Sequence, residues 1–338
     1  MHQYDIRDLR IHFPTRRGVV EAVRGVSFYM DQGECVALVG ESGCGKSVTA
    51  RSLMGLTEVT GGRCQPGSQI LCHGENILDY SKKQWQSYRG REAAMIFQDA
   101  MTSLNPTMQI GHQIAECYRF HQKIGRKEAL EKAAEMLALV GISDPETALR
   151  RYPHEFSGGM RQRVMIASAL ACQPELLIAD EPTTALDVTI QAQIMDLLAK
   201  LKEEVGCSIV LITHDLGVVA ANADRIAVMY AGQVVESGTA DQIFYHCAHP
   251  YTRGLLESIP RLNAAHDARL TYIGGTPPDA LNPAPGCAFS ARCKYAMRIC
   301  RQQAPEKREV QPGHFCSCFL MDDEAEDTRK KTGWEVSI

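Results

Sequence analysis

The sequence has no hydrophobic run long enough to cross a membrane. Its longest apolar stretches, within PELLIAD and CSIVLITHD, have the length of a β-strand, whereas a membrane-spanning helix needs about 20 apolar residues. The first residues, MHQYDIRDLRIHF, also lack the apolar centre of a signal peptide. We therefore expect a cytosolic chain that meets a membrane only through partner proteins.

The chain also lacks a strong excess of either charge. Its 36 lysines and arginines against 40 aspartates and glutamates give a formal net charge of -4 over 338 residues. This balance gives no sign of the basic surface with which proteins bind nucleic acid, and we expect no nucleic-acid partner. The length predicts one large domain with an appendage, or two domains.

A third absence concerns the cysteines. None of the 13 forms a Cys-x2-Cys pair, the spacing typical of zinc ribbons. Five of them nevertheless lie close together in the sequence, at Cys287, Cys293, Cys300, Cys316 and Cys318. Disulfides are not expected in a reducing compartment, so this group indicates metal or redox chemistry. Four thiolates suit an iron–sulfur cluster or a zinc ion, and unliganded thiols remain the third interpretation.

Buried strands and amphipathic helices alternate along much of the chain. ECVALVG, ELLIAD and CSIVLIT are continuous apolar runs typical of buried strands, while YDIRDLRIHF and AVRGVSFYM have the alternation of sheet strands. From 82 to 170 the pattern is mostly helical, including KKQWQSYRGREAA. TIQAQIMDLLAKLKEEVG then predicts a crossover helix between two buried strands. This order is that of βαβ units with a parallel sheet.

GESGCGKS, at residues 40–47, fits the phosphate-loop pattern G-x-x-x-x-G-K-[ST] and follows a predicted buried strand. Its glycines let successive backbone N–H groups face a phosphate at the positive end of a helix. Lys46 is expected to reach the β- and γ-phosphates, and Ser47 to hold Mg²⁺. Cys44 lies near a helix N-terminus, so we expect a reactive thiolate whose alkylation blocks ATP turnover. The predicted nucleotide contacts are Gly40, Ser42, Gly43, Cys44, Gly45, Lys46, Ser47 and Val48.

ELLIADEP ends a predicted buried strand in two adjacent acids, Asp180 and Glu181. Sites of phosphoryl transfer keep a magnesium carboxylate at such a position. Because neighbouring side chains of a strand point to opposite faces, one acid can bind Mg²⁺ while the other addresses an attacking water. We assign the metal to Asp180 and the role of general base to Glu181.

FSGGMRQR predicts a second surface that faces phosphate. Ser157 is a favourable N-cap, and two glycines allow a close approach to the positive end of the following helix. Two phosphate surfaces with one essential lysine suggest that two subunits complete each other's sites. Three more positions carry little weight singly: His214 after a strand, Gln98 after MIF, and Phe13, which stacks on adenine or else is a buried strand aromatic.

In order and spacing, these motifs resemble those of ABC transporter ATPase subunits. GESGCGKS, Gln98, FSGGMRQR, LLIADEP, TALD and His214 correspond to Walker A, Q-loop, signature, Walker B, D-loop and switch histidine. The resemblance covers residues 4 to 260 and implies an α/β P-loop NTPase fold of the ABC type. That fold has a RecA-like core sheet, an antiparallel β subdomain and a helical subdomain, here at about 99–165.

The resemblance also implies roles for residues. Gln98 and His214 would be catalytic beside Glu181 and Lys46, and Gln98 would join Ser47 and Asp180 around Mg²⁺. In a head-to-tail dimer, residues of one subunit would cap the γ-phosphate held by the partner's phosphate loop or bridge the interface. The capping residues would be Ser157, Gly158, Gly159 and Gln162, and the bridging residue Asp187.

HPYTRGLLESIP, with FQDAMTSLNP and VMYAGQVVESG, narrows the resemblance to the ATPases of oligopeptide, dipeptide and nickel importers. The resemblance implies a nucleotide-binding domain at 1–260. Composition predicts a linker rich in proline and glycine at 261–286, a cysteine segment at 287–320 and a flexible tail at 321–338. The C-terminal extension resembles one that carries a [4Fe-4S] cluster. The ligands would be Cys287, Cys293, Cys300 and Cys318, with Cys316 left as an extra thiol.

The implied function is ATP hydrolysis that drives uptake of peptides or related small solutes. The implied partners are a second, non-identical ATPase subunit, two transmembrane permease subunits and an extracytoplasmic solute-binding protein. The chain would then be peripheral, at the cytoplasmic face of the cell membrane. The alternative is a soluble ABC ATPase acting on DNA or ribosomes. Such proteins carry long insertions or two cassettes in one chain, and this sequence has neither.

Overall fold

The computed structural model describes residues 2–184, 186–259 and 272–334. These residues fall into two compact units. The first comprises the described residues of Met1–Met30, Val36–Ile77 and His214–Ile338, and the second those of Asp31–Cys35 and Leu78–Thr213. No helix among the described residues combines the length and the apolar character needed to cross a membrane.

The strands of the described residues are, in chain order, β1 (Tyr4–Thr15), β2 (Gly18–Met30), β3 (Cys35–Val39), β4 (Arg63–Cys64), β5 (Gln69–Cys72), β6 (Glu75–Asn76), β7 (Ala93–Ile96), β8 (Leu176–Asp180), β9 (Ser208–Ile212), β10 (Arg225–Tyr230), β11 (Gln233–Thr239), β12 (Arg308–Gln311) and β13 (His314–Cys316).

The α-helices are α1 (Lys46–Leu53), α2 (Lys82–Tyr88), α3 (Ala100–Ser103), α4 (Ile110–His121), α5 (Arg126–Leu139), α6 (Pro145–Ala148), α7 (Gly158–Leu170), α8 (Val188–Val205), α9 (Leu216–Asn222), α10 (Ala240–Tyr245), α11 (Pro250–Glu257) and α12 (Glu326–Thr332). Single 3-10 turns span Glu58–Thr60, Ile77–Asp79, Pro153–Glu155, Ile299–Arg301, Phe319–Met321 and Asp323–Ala325.

An antiparallel sheet of the first unit has the strand order β2-β1-β5-β6, with β4 also paired to β1. β1 and β2 are the two strands expected from the alternating segments near the N-terminus. A register shift separates Ile6 from Leu9, where Asp8 has a φ of 43°. This bulge leaves both Ile6 and Leu9 fully buried on the core face, although they are an odd number of residues apart.

The other strands of the first unit follow the order β12-β13-β11-β10-β3. β3 and β10 are parallel, and β11 is antiparallel to β10. β13 adds the C-terminal extension to this sheet, since Cys316 pairs with Glu236 of β11. Tyr230, Tyr251 and Phe289 form an aromatic centre against these strands, and the side chains of Cys287 and Cys293 pack against the same core.

In the second unit, β7, β8 and β9 are parallel neighbours in the order β9-β8-β7. β8 and β9 are buried along their whole length, as their continuous apolar sequences predict. Helix α7 packs against α3, α4, α5 and β7. Helix α8, between β8 and β9 in the chain, buries one apolar stripe that includes Leu198 and Leu201 and ends at Gly206, whose φ is 71°.

The helix expected at KKQWQSYRGREAA is shorter than the pattern indicated. α2 ends at Tyr88, Gly90 has a φ of 86°, and residues 93–96 form β7. A left-handed residue does not continue a helix, and the following AAMI is buried at all four positions as the strand β7, which pairs with β8. The prediction of a continuous helix through Ala94 is therefore wrong.

The end of the chain is folded in its described part, although we expected a flexible tail at 321–338. Helix α12 lies there, and the Trp334 side chain is 3% exposed. The Arg253 guanidinium lies 3.8 Å from the centre of the Trp334 ring, and the Tyr295 ring packs edge-on at 4.8 Å. These contacts pack Trp334, at the end of the described segment, against Arg253 and Tyr295. Residues 335–338 lie outside the described residues.

The expected linker at 261–286 falls partly outside the described residues, which resume at Tyr272. Its remaining part runs along β2: the Ala280 carbonyl accepts a 3.0 Å hydrogen bond from the Glu21 N–H. Leu281 lies beside Gly18. This part of the linker is therefore packed against the antiparallel sheet.

Candidate functional site

The phosphate loop connects β3 to α1, and its backbone requires glycine at two points. Gly40 has a φ of 147° and Gly45 a φ of 102°. A Cβ on Gly40 would collide with the carbonyl oxygen of Met229, and one on Gly45 would lie 2.6 Å from the carbonyl oxygen of Ala22. The loop predicted from GESGCGKS is therefore fixed by close backbone packing as well as by its turn geometry.

The ammonium group of Lys46 lies within this loop. Its Nζ donates to the carbonyl oxygens of Gly40 at 2.7 Å and Glu41 at 2.9 Å, and the side chain is buried. Ser47 and Val48 follow in the first turn of α1. The structure thus places a buried positive charge and a helix N-terminus at the same loop, the combination that binds phosphate.

Cys44 differs from the reactive thiolate that we expected. It is 5% exposed, and its Sγ lies 3.8 Å from Lys46 Nζ. Burial raises the pKa of the Cys44 thiol, and the opposing effect of the Lys46 charge is smaller. The expectation considered the helix terminus and omitted desolvation, which dominates for a group buried in the loop.

Glu41 of the loop is tied to the C-terminal extension, which the sequence did not indicate. Its carboxylate accepts two hydrogen bonds from the Arg292 guanidinium, at 2.7 and 2.9 Å. Its backbone N–H donates to the Tyr251 hydroxyl at 2.9 Å. Tyr251 belongs to HPYTRGLL, but only the fold brings that segment and Arg292 to the phosphate loop.

The two acids at the end of β8 have different surroundings. Asp180 is 1% exposed. Glu181 has a φ of 49°, and its N–H donates to the Ile212 carbonyl. Its Oε2 accepts a 2.8 Å hydrogen bond from Gln98 Nε2 and another from the Thr184 hydroxyl at the same distance. The structure thus brings together Gln98 and Glu181, which the sequence indicated separately, and adds Thr184, which sequence reasoning missed.

The FSGGMRQR segment begins α7 as expected. The Ser157 hydroxyl caps the helix by accepting from the Met160 N–H at 3.4 Å, and both Ser157 and Gly158 are exposed. A Cβ on Gly159 would lie 2.9 Å from the Ile190 side chain, so the starts of α7 and α8 are close together. Gln162 lies on the buried side of α7, with 4% of its surface exposed.

Asp187 caps α8 by accepting from the Ile190 N–H at 2.9 Å. The next residue, Val188, is 83% exposed. Ala185 of TALD lies outside the described residues.

His214 and Phe13 lie in the first unit with the phosphate loop. His214 is exposed in the turn before α9, whose N-cap is the neighbouring Asp215. Phe13 is half-buried on β1, and its ring covers Gly62, where a Cβ would lie 2.8 Å away.

The cysteine segment places its predicted ligands in one neighbourhood without forming a metal site. Burial and then the neighbouring thiols raise the pKa of Cys293 to about 11, and that of Cys318 further. The neighbours that act on Cys318 are Cys287, Cys293 and Cys300. Within residues 2–184, 186–259 and 272–334, however, no three His, Cys, Asp or Glu side chains are arranged to hold a metal ion.

The chain matches two family profiles. One, described as ABC transporter, covers residues 23–184, and the other, described as oligopeptide/dipeptide transporter, C-terminal region, covers residues 235–300. The oligopeptide transport ATP-binding protein OppD of Bacillus subtilis is 53% identical over 95% of this chain and 89% of its own length. The dipeptide transport ATP-binding protein DppD of Lactococcus lactis is 52% identical over 95% of this chain and 91% of its own length.

Among solved structures, the fold is similar to the dimeric ATP-binding cassette MJ0796 in a post-hydrolysis state bound to ADP and Pi. The TM-score is 0.62 at 26% identity, over 70% of this chain and 98% of that chain. This likeness confirms the α/β fold of the ABC type, and none of the matches supports a soluble ATPase acting on DNA or ribosomes. The chain hydrolyses ATP and belongs to the family of ABC transporter ATP-binding proteins that includes OppD and DppD.

Proposed function

We propose that this chain powers the uptake of dipeptides, oligopeptides or closely related solutes through a membrane importer. The observation that carries the proposal is the match along nearly the whole chain to oligopeptide and dipeptide transport ATP-binding proteins, including their C-terminal region at 235–300. The Glu41–Arg292 contact is consistent with it, because the extension that distinguishes these proteins is packed against the phosphate loop here.

The site residues have separate roles in this proposal. Lys46 and the backbone N–H groups of the loop bind the phosphates. Ser47, Asp180 and Gln98 would hold Mg²⁺, which when bound would supply positive charge beside the transferred phosphoryl group. Glu181 accepts a proton from the attacking water. Its hydrogen bonds to Gln98 and Thr184 fix the carboxylate, and His214 assists at the γ-phosphate. The close packing of the loop at its glycines and the Lys46 ammonium group held within the loop fit a nucleotide phosphate.

The active form in this proposal is a head-to-tail pair with a second, non-identical ATPase subunit. Ser157, Gly158, Gly159 and Asp187 would face the partner's nucleotide. The exposure of Ser157 and Gly158 at the start of α7 supports this orientation. Gln162 is buried in α7, so its role is to support the helix end behind the exposed residues.

The pair would act at the cytoplasmic face of the membrane, with two permease subunits and an extracytoplasmic solute-binding protein. In domain terms we assign nucleotide binding to 1–260, with the helical subdomain at about 99–165. The extension at 287–320 would then follow the linker at 261–286.

We further propose a [4Fe-4S] cluster, with zinc as the alternative, on Cys287, Cys293, Cys300 and Cys318. The support is the spacing of these cysteines and their proximity, since neighbouring thiols of the group raise the pKa of Cys293 and of Cys318. In the described geometry the thiols are not arranged as ligands, so metal binding would require their side chains to turn toward one another. Nothing in ATP hydrolysis is assigned to this group.

Uptake measurements test the transport proposal. In cells from which the gene for this chain is deleted, uptake of radiolabelled dipeptides and tripeptides is measured, with nickel uptake in parallel. We expect peptide uptake to be lost and to return with the parental gene but not with a Glu181→Gln variant. Unchanged peptide uptake, or loss of nickel uptake alone, would refute the peptide assignment.

A further inference from the structure

Arg292 of the cysteine segment forms a bidentate ion pair with Glu41 of the phosphate loop. Nη1 lies 2.7 Å from Oε2 and Nη2 lies 2.9 Å from Oε1. The Arg292 side chain is 5% exposed and that of Glu41 26%. A bidentate pair with so little solvent around the guanidinium has defined geometry and weak screening by salt.

The other donors of Arg292 are also used. Nε donates to the Gly274 carbonyl at 2.9 Å, Nη2 to the Ile273 carbonyl at 3.0 Å, and Nη1 to the Tyr230 hydroxyl at 3.2 Å. An arginine side chain stays protonated in proteins, so the group is always charged. These hydrogen bonds fix the position of the guanidinium. A lysine ammonium group cannot make the two parallel hydrogen bonds to the carboxylate that Nη1 and Nη2 make.

Glu41 lies where a negative charge works against phosphate binding. It is the second residue of GESGCGKS, and its carbonyl oxygen accepts from Lys46 Nζ at 2.9 Å. A carboxylate within about 10 Å of a polyphosphate repels it unless a cation neutralises the carboxylate. Arg292 supplies that cation from outside the loop. By fixing the Glu41 side chain, it also fixes the carbonyl that holds Lys46.

We propose that Arg292 is a positioning residue for the phosphate loop, through which the cysteine segment sets the affinity of the loop for ATP. Arg292 adjoins Cys293, and Cys287 and Cys293 pack on the core that includes Tyr230, Tyr251 and Phe289. The folded conformation of the cysteine segment therefore affects the position of the Glu41 carboxylate through the Arg292 side chain. This role requires neither a particular transported solute nor a metal on the cysteines.

The test is a titration of the full-length chain with TNP-ATP and Mg²⁺, for the parent, Arg292→Ala, Arg292→Lys, Glu41→Gln and the double variant Arg292→Ala/Glu41→Gln. We expect Arg292→Ala to raise Kd about tenfold, the loss associated with one charged hydrogen bond. Arg292→Lys should recover only part of this. Removing the unpaired carboxylate in the double variant should restore most of the affinity.

Restoration in the double variant would show that the uncompensated Glu41 carboxylate weakens ATP binding, and a double variant equal to Arg292→Ala would show that the loss comes from the loop that Arg292 no longer fixes. Two merely destabilising changes would instead add. Arg308→Ala is the matched control, since Arg308 lies in the same extension and pairs with Asp322 at 3.1 Å, away from the loop. Its Kd should equal that of the parent. Unfolding midpoints are recorded for every variant. If Arg292→Ala does not fold, the Kd of Arg292→Lys is compared with that of Arg292→Lys/Glu41→Gln in the same way. A Kd within twofold of the parent in the folded arginine variant, or a double variant weaker than the single one, would overturn the proposal.

Discussion

The side-chain amide of Gln98 donates a 2.8 Å hydrogen bond to the carboxylate of Glu181. The Thr184 hydroxyl donates to the same oxygen at the same distance. Two donors on Oε2 hold the carboxylate in one orientation at the end of β8. This arrangement supports the general-base assignment better than the sequence position alone.

Replacing Glu181 should therefore stop turnover while sparing ATP binding. We expect Glu181→Gln to lower the ATPase rate of the assembled transporter by at least about 100-fold, the usual contribution of a general base. Gln98→Ala should cost less, because Thr184 still holds the carboxylate and Ser47 and Asp180 remain as proposed ligands of Mg²⁺. Phosphate release and nucleotide affinity are measured together, with Glu203→Gln, an exposed acid of α8, as the control. Parental turnover in Glu181→Gln would show that another group activates the water.

Two glycines of the phosphate loop should respond differently to alanine. Gly45 has a φ of 102° and a Cβ there would lie 2.6 Å from the Ala22 carbonyl oxygen, whereas Gly43, with a φ of 78°, has open space around the same position. We expect Gly43→Ala to cost about 1 kcal/mol for its left-handed backbone. Gly45→Ala should cost at least about 2 kcal/mol more, because the backbone must shift. Urea unfolding compares the two, and equal midpoints would contradict the packing argument.

Cys44 should react slowly with alkylating reagents at neutral pH. Burial raises the pKa of this thiol, so the thiolate fraction at pH 7 is small and grows as the pH rises. Peptide mass spectrometry after iodoacetamide treatment at pH 7 to 10 should show a rate that climbs across this range and falls when ATP is present. Complete modification should abolish ATP binding, because Sγ lies 3.8 Å from Lys46 Nζ. Rapid modification at pH 7 would instead identify the activated thiolate that we first expected.

The parts of the structure that sequence reasoning predicted are those that depend on local patterns. β8 and β9 follow from continuous apolar runs, and the phosphate loop from glycines that must adopt positive φ. The Glu41–Arg292 pair joins residues 251 positions apart, and no local pattern specifies such a contact. Trp334 illustrates the same limit: the residues before it, DDEAEDTRKKTG, are mostly charged, and only the fold supplies Arg253 and Tyr295 as its partners.

His249 should make the free energy of unfolding depend on pH in the acid range. It is completely buried, its Nδ1 accepts from the Tyr251 N–H at 3.0 Å, and burial lowers its pKa from 6.5 to about 4, against a smaller opposite effect of Glu236. Between pH 6.5 and 4 the unfolded chain binds the proton and the folded chain does not. Stability is therefore complete above pH 6.5 and falls as the pH approaches 4, by about 3 kcal/mol in all.

Asparagine can keep the cap at position 249 without titrating. His249→Asn should flatten this part of the pH dependence of the unfolding free energy, at some cost at neutral pH from the lost ring. His154→Asn, at an exposed position, should leave the slope unchanged. If His249→Asn keeps the full parental slope between pH 6.5 and 4, the acid sensitivity arises elsewhere.

Two nearby cysteines should differ in their importance for metal binding. The other three proposed ligands lie close enough to Cys318 to raise the pKa of its thiol; they are Cys287, Cys293 and Cys300. Cys316 is 1% exposed on β13, and after burial the strongest influence on it is the negative charge of Glu236, which disfavours the thiolate that a metal requires.

We therefore expect Cys318→Ser to lose the iron and sulfide of an anaerobically purified sample, together with its visible absorption, while Cys316→Ser retains them. Both variants remove one sulfur from the same short segment, so each controls for the other. Iron, sulfide and zinc are determined per chain. If Cys318→Ser retains the iron and sulfide and Cys316→Ser loses them, the fourth ligand is Cys316 and not Cys318. If the parent contains neither iron nor zinc, the metal proposal is refuted, and the proposal for Arg292 is still tested separately by nucleotide binding.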